Sequence, residues 1–420
     1  MNKKQDINNI LKQKGQKMSE QKFKVGIIGA GSRGIMSFGK TIATRKDAQV
    51  VALCDPNPVR MEFAAKELGF KPSFYTSVET MIAAEKLDAV VITSPDFCHE
   101  SNAVEALNNG VNVLVDKPLS TTVKGCQNII NAAEKAGKTI MMGFNLRHHA
   151  VLKKLKKLIS EGVLGRVFLI ENREFYDGGR TYMSRWNRLY AKGGGLWIHK
   201  GSHDFDIFNW LLDFPKPVKV SAFAGVDVFN PQHIPFAVKT GVPVGPTCHQ
   251  CRYGEICPDV YKIDDIQNTP WCDRAVAVDG YSKDLCMYTS DKDTHDNGIA
   301  IVEYENGAKA SHLECFVTSI SDRLYTVVGD LGQAEVSLEK RIITIRPRWS
   351  QETITHFIPE VLGGHGGADP MLIDSFFRVL KGEEKNSSTT EHGMWSTAIG
   401  QAAEISRREE RTVKVAELFR

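Results

Sequence analysis

The sequence lacks long apolar runs. None approaches the roughly 18 uninterrupted residues that a membrane-spanning helix requires, so no membrane partner is expected. It lacks a strong charge of either sign. Its 53 Lys and Arg against 50 Asp and Glu leave a net charge of +3. Six of the lysines fall within the first 22 residues, and the remaining body is slightly acidic. A nucleic-acid binder needs a basic face on its folded part, so that class is set aside. It lacks an apolar core behind Lys3 and Lys4, so no secretory signal is read. Residues 1–22 read instead as a solvated flexible tail, with Met18 a candidate start, and the chain as cytoplasmic. Nor does it have the composition of a disordered chain: 42% of residues are hydrophobic and 25% charged. At roughly 150 residues per domain, 420 residues give two to three domains.

What is present begins with a short apolar run, residues 24–28, that ends in Gly29-Ala30-Gly31-Ser32-Arg33-Gly34. A helix is expected over 35–44, a second strand over 50–54, and then comes Asp55, 21 residues beyond Gly34. Strand, glycine loop, helix and distal acid together form the dinucleotide-binding pattern. Gly29 permits the tight turn, Gly31 admits a pyrophosphate and Gly34 lets helix and strand pack closely. Asp55 is suited to the adenosine ribose hydroxyls and repels a 2′-phosphate, favouring NAD over NADP, with Arg60 nearby as the competing feature. Further strands are expected at 89–93, 111–115 and 139–144, with helices at 100–109 and 121–136. This alternation predicts an α/β Rossmann domain, a doubly wound parallel sheet, over 23–145. Ser94-Pro95-Asp96-Phe97-Cys98-His99, Asp116-Lys117-Pro118 and Asn145-Leu146-Arg147-His148 all fall at strand carboxyl ends, where such sheets bind ligands.

On these motifs the chain resembles the glucose–fructose oxidoreductase and inositol dehydrogenase (Gfo/Idh/MocA) family. Asp116-Lys117-Pro118 is similar to its Glu-Lys-Pro step with a shorter acid. Gly193-Gly194-Gly195…Gly201-Ser202-His203…Asp206 resembles its GGG…DxGxHxxD signature. The resemblance implies a second, α+β domain with a large open, mainly antiparallel sheet over 146–420, and a homo-oligomer, dimer or tetramer. Strand patterns at 167–175, 218–229, 298–305, 308–316, 324–329, 333–338 and 341–346 agree with it. Helices are expected at 151–160, 203–212, 368–381 and 393–408.

The resemblance also implies roles. Lys117 stands where the family keeps a catalytic lysine beside the nicotinamide, stabilising a developing alkoxide. His203 matches the family's general base. Gly29, Gly31, Ser32, Arg33, Gly34, Asp55, Arg60, Ser94, Pro95, His99, Asp116, Lys117 and Asn145 are the candidate cofactor residues. Arg147, His148, Tyr182, His199 and His365 are candidates for the substrate cleft; glycines on both sides of His365 would let backbone approach a ligand.

His199 departs from the family pattern, which places an acid four residues before the histidine. Three readings stay open: it binds substrate in place of the acid, it is a structural hydrogen-bonding residue, or it shares a metal with His203. A third ligand would then come from His295, Asp296 or His365. The branch of the family with this histidine carries a Cys-x2-Cys-x5-Cys insertion and looks like its sugar-modifying members. That suggests sugars or glycosides as substrates, oxidised at one secondary hydroxyl, plausibly C3, to a 3-keto sugar. An NAD-recycling glycosidase and a non-catalytic dinucleotide-binding sensor are the competing functions.

Cys54, Cys98, Cys126 and Cys315 are scattered and read as small buried residues. Cys248, Cys251, Cys257, Cys272 and Cys286 crowd into an insertion over 230–289. The first four form a candidate structural zinc or iron–sulfur site that would staple a long irregular stretch. Reduced structural cysteines or a redox role are the alternatives.

Overall fold

The computed structural model describes residues 22–420; all but one residue of the expected tail lie outside the described part. Six strands form one parallel sheet: β1 (Phe23–Ile28), β2 (Ala48–Cys54), β3 (Ser73–Tyr75), β4 (Ala89–Ile92), β5 (Asn112–Val115) and β6 (Ile140–Met142), in the order β3-β2-β1-β4-β5-β6. β4 is buried along its whole length, as expected for a parallel strand covered on both faces. The helices between them are α1 (residues 33–43), α2 (Pro58–Leu68), α3 (Val78–Ala84), α4 (His99–Asn108) and α5 (Val123–Ala136). α5 begins where the Thr122 side chain accepts the Gly125 N–H and ends at Gly137 in the left-handed region.

α1 departs from the expected α-helix over 35–44: Arg33–Gly39 is π-helical and only Lys40–Ala43 is α. Close packing accounts for the small residues here. A Cβ on Gly34 would sit 2.4 Å from the Gly29 carbonyl oxygen, and one on Gly39 3.1 Å from the Gly34 carbonyl and from Ile27. Wide turns of this kind recur at functional sites.

The second sheet has nine strands in the order β14-β13-β12-β11-β7-β10-β9-β8-β15. They are β7 (Val167–Asp177), β8 (Pro217–Gly225), β9 (Asn297–Tyr304), β10 (Lys309–Cys315), β11 (Val317–Gly329), β12 (Gly332–Ser337), β13 (Ile342–Pro347), β14 (Ile354–Phe357) and β15 (Val413–Lys414). Only β7 and β10 pair in parallel. Along β9 buried and outward residues alternate, so one face packs on helices and the other faces out.

α6 (Ala150–Ser160), α7 (Leu196–His199), α8 (Ser202–Leu211), α9 (Asp273–Asp279), α10 (Ala368–Leu380) and α11 (Thr390–Glu409) complete the chain. α11 starts three residues before the expected Gly393, because the Thr389 hydroxyl accepts the His392 N–H. α6, α8 and α11 share the core of the nine-stranded sheet. α10 instead packs Leu372, Ile373, Phe376 and Phe377 against Val25 and Ile27 of the first sheet and Phe38 of α1. This late helix delivers Gly366, His365 and Asp369 to the rim where the parallel strands end. No described helix is long and apolar enough to cross a membrane.

Candidate active site

A groove of ≈ 850 Å³ runs along the carboxyl ends of β1, β2 and β4. Gly29, Gly31, Ser32, Arg33, Asp55, Arg60, Ser94 and Pro95 line it. Its three glycines do different things. Gly29 has φ +97°, and a Cβ there would lie 2.6 Å from the Ser94 nitrogen. Gly34 is packed shut as described. A Cβ on Gly31 would meet nothing within 4 Å, because that backbone faces the open groove. The main chain at Gly31 is therefore bare where a pyrophosphate must come closest. Asp55 is fixed by the Ala30 N–H on Oδ2 (2.9 Å) and the Asn57 N–H on Oδ1 (2.8 Å). Burial raises its pKa above the ordinary carboxylate value, with these two bonds and Arg60 opposing. The residues fit a dinucleotide.

The groove opens into a cleft of ≈ 600 Å³, with Arg33, Thr93, Ser94, Arg185 and Trp186 belonging to both. Lys117, His199, His203, Tyr182 and His365 meet there, from both sides of the molecule. Lys117 follows β5, and its ammonium donates to the His199 carbonyl. Burial lowers its pKa to about 8, although Asp96 and Asp116 pull the other way. His203 lies in the first turn of α8. Burial first, then the charges of Lys117, Arg323 and Lys200, holds its pKa well below the ordinary histidine value. Its Nδ1 is buried without a partner. It is a neutral imidazole at pH 7, free to take a proton.

His199 points Nδ1 at Asp96 Oδ2, 2.7 Å away, and its ring meets those of Trp186 and Tyr182 edge-on. Burial lowers its pKa against the pull of Asp96. Asp96, on the turn after β4, thus supplies the carboxylate that the resemblance led one to expect four residues before His203. No group of three His, Cys, Asp or Glu side chains among the described residues is arranged to hold a metal. A metal shared by His199 and His203 is not supported by this arrangement, which brings no third ligand to the pair.

Other expected residues are placed elsewhere. Arg147 is buried away from the cleft, with Nε and Nη2 on Asp206 and Nη1 on the Ser387 carbonyl. His148 lines a separate depression with it. The neighbouring His149, not His148, faces the cleft, because residues 145–148 form a 3₁₀ turn. Asn145 is fully buried and donates to Asp369 Oδ1 (2.8 Å). His99 is also buried, its nitrogens at the carbonyls of Pro118 (2.7 Å) and Ser94 (2.9 Å). It ties the lysine turn to the end of β4 and lines the cleft rather than the groove. Asp116 lines the cleft but binds Arg33 through both carboxylate oxygens. Asp369 holds Arg33, Asn145 and, through Oδ2, the His365 Nδ1 at 2.8 Å.

The expected metal staple of the insertion is not supported: no three ligating side chains among the described residues are arranged to hold a metal, and Cys272 sits at the start of α9. The Sγ atoms of Cys248 and Cys251 accept N–H bonds from Tyr261 and Gly245, each 3.4 Å, and burial pushes the Cys248 thiol up to about 11. Side-chain packing orders the stretch: Tyr253 stacks on Phe236 and bonds Lys239 and Val242.

Several cleft residues carried no motif. Lys200 is bound to Glu174 (2.9 Å) and lies over the rings of Tyr176 and Tyr182. Arg323 pairs with Glu174 and Asp204, and Asp204 also accepts the Tyr325 hydroxyl (2.7 Å). Glu174, Arg323, Tyr325 and Asp204 come from β7, β11 and α8, far apart in sequence, and Lys200 from the turn between α7 and α8. Only Asp96, inside a polar cluster at a strand end, had a readable signal.

Residues 23–144 match an oxidoreductase family described by its NAD-binding Rossmann fold, and residues 156–415 match that family's C-terminal alpha/beta domain. The YteT protein of Bacillus subtilis (strain 168), named an oxidoreductase, is 27% identical over 93% of this chain and 97% of its own. The D-glucoside 3-dehydrogenase of Escherichia coli (strain K12) is 28% identical over 59% of this chain and 66% of its own. Levoglucosan dehydrogenase, solved with NADH and levoglucosan, shares the fold at a TM-score of 0.72, with 17% identity over 94% of this chain and 100% of that one.

Proposed function

The chain belongs to the Gfo/Idh/MocA oxidoreductase family, and we propose that it oxidises a secondary hydroxyl of a sugar or glycoside with NAD. The observation that carries the reading is the meeting of Lys117 and His203 in one cleft that continues into the groove at Gly31. NAD, when bound, supplies the hydride acceptor. Everything else is done by the chain. The neutral His203 imidazole takes the hydroxyl proton. The Lys117 ammonium, held by the His199 carbonyl, faces the oxygen as its negative charge develops and lowers the barrier. His199 keeps its Nδ1–H on Asp96 and so presents Nε2 as an acceptor to a further hydroxyl. Tyr176, Tyr182 and Trp186 offer ring faces among charged groups, a lining that suits a polyhydroxylated ring. The D-glucoside 3-dehydrogenase and levoglucosan dehydrogenase support sugars as the class, and the first of them supports C3, giving a 3-keto sugar, as the position.

Incubation with NAD and a panel of glucosides, galactosides and inositols tests this by absorbance at 340 nm and by product mass. A product two daltons lighter, formed with the reduced nucleotide, is expected from at least one sugar. A second reading is favoured by one observation: His199, oriented by Asp96, is a second base beside His203. A 3-keto sugar has an acidified C2 proton, and its removal would expel the anomeric group. Glycoside cleavage without net reduction of NAD would identify that route.

A further inference from the structure

The cysteine-bearing insertion reaches back across the molecule to the end of β2. α9 carries Asp279, which grips the Arg60 guanidinium through both carboxylate oxygens. Asn57, on the same turn as Asp55, donates to the Ala275 carbonyl (2.8 Å) and to Asp279 (2.9 Å). The Pro270 carbonyl lies 3.4 Å from Arg60 Nε. The guanidinium is 5.2 Å from the Tyr281 ring and 5.8 Å from Trp271, and these rings meet edge to face at 6.1 Å. Trp271, Tyr281 and Lys283 line the groove together with Asp55, Thr76 and Ser77. By the position of Asp55, this is the adenosine half.

We propose that the 230–289 insertion is a clamp on the adenosine half of the dinucleotide and that its Asp279 sets the preference for NAD over NADP. The proposal rests on the NAD-dependent reading above. A 2′-phosphate is recognised by a free guanidinium beside the ribose. Arg60 is the guanidinium whose charge reaches Asp55, and both ends of its fork are already committed to Asp279. A 2′-phosphate arriving there meets two carboxylates and a neutralised arginine. Lys283 is a weak substitute: its ammonium sits over Trp271 (4.4 Å), and burial beside Arg185 lowers its pKa to about 8. The aromatic pair gives the adenine a wall that the parallel sheet does not itself provide.

Calorimetric titration of the full chain with NAD and, separately, NADP tests both parts without turnover. The wild-type chain is expected to bind NAD the more tightly. Asp279→Ala frees Arg60, and the ratio of the two dissociation constants should narrow by about tenfold or more, the scale of one charge-assisted bond to phosphate. Adding Arg60→Ala should abolish that gain. Asp279→Asn, which keeps the shape and loses the charge, serves where the alanine variant does not fold. Trp271→Ala should weaken both nucleotides alike. An unchanged ratio in the folded Asp279 variants overturns the selectivity role, and an unchanged NAD affinity in Trp271→Ala overturns the clamp. Failure of the wild-type chain to bind either nucleotide would remove the dehydrogenase reading itself, and the clamp with it.

Discussion

An enclosed lysine ammonium titrates within reach of the working pH, and Lys117, with its pKa lowered to about 8, is such a group. Its charge is needed when the substrate oxygen becomes negative, so oxidation should slow as pH rises through about 8. The pKa of His203 is held well below the ordinary histidine value by burial and the neighbouring cations. It therefore contributes no rise in rate as pH passes through 7. Lys117→Met should lower kcat by about 10²–10³-fold, the effect of losing one preorganised donor, and should leave no decline near pH 8. A profile of kcat against pH for the two proteins checks this. Lys117 and His203 were both legible from the motifs around them. Asp96 was visible only as one polar residue among several. Glu174 and Arg323 were not legible, because their meeting is made by strands paired across distant segments.

At the scale of elements, the glycine-rich approach to α7 rests on a buried polar layer in the nine-stranded sheet. Trp197 packs on His295 with ring centres 4.6 Å apart. His295 and His312 both bind Glu314, with all three side chains fully buried. Burial would raise the Glu314 pKa, but the two histidines win and lower it to about 2. A depressed carboxylate adds stability above its unfolded value of 4.5 and loses it as pH falls toward 2. Glu314→Gln should destabilise by about 3–5 kcal/mol, the cost of breaking a buried pair. It should also flatten the acid limb of stability between pH 4.5 and 2; chemical denaturation across that range measures both effects. Regular elements were readable where periodicity was clear, as in α6 and β9, and where a cap agreed with it, as in α5. The π-helical turns of α1 were not, since the apolar spacing of residues 35–44 reads as an ordinary helix. The short β3, β14 and β15 escaped because so few residues carry no pattern.

Across the whole molecule, the two sheets divide the work: the parallel one presents the dinucleotide groove, and the nine-stranded one closes the cleft. The outer face of the second sheet carries one apolar cross-strand row, Phe223, Ile299 and Leu313, with Ile301 in the next row between Ser221 and Ser311. Phe223 is 78% exposed and Ile301 51%. Such a face suits a second copy of the chain. A homo-oligomer is expected by light scattering, reduced to monomer by Phe223→Asp; a monomeric wild-type chain would contradict it. The division into a doubly wound half and an open-sheet half was legible in sequence, since strand–helix alternation gives way to strand runs near residue 167. The return of α10 to the first core was not, because an amphipathic helix does not name its partner. In the proposed reaction a hydride leaves C3 of a sugar in this cleft for NAD. Its most direct test is a substrate of the responding class deuterated at C3, with the reduced nucleotide weighed afterwards. Gain of one mass unit in the nucleotide is expected. Reduced nucleotide without deuterium, or sugar consumed with none transferred at any stage, would contradict it.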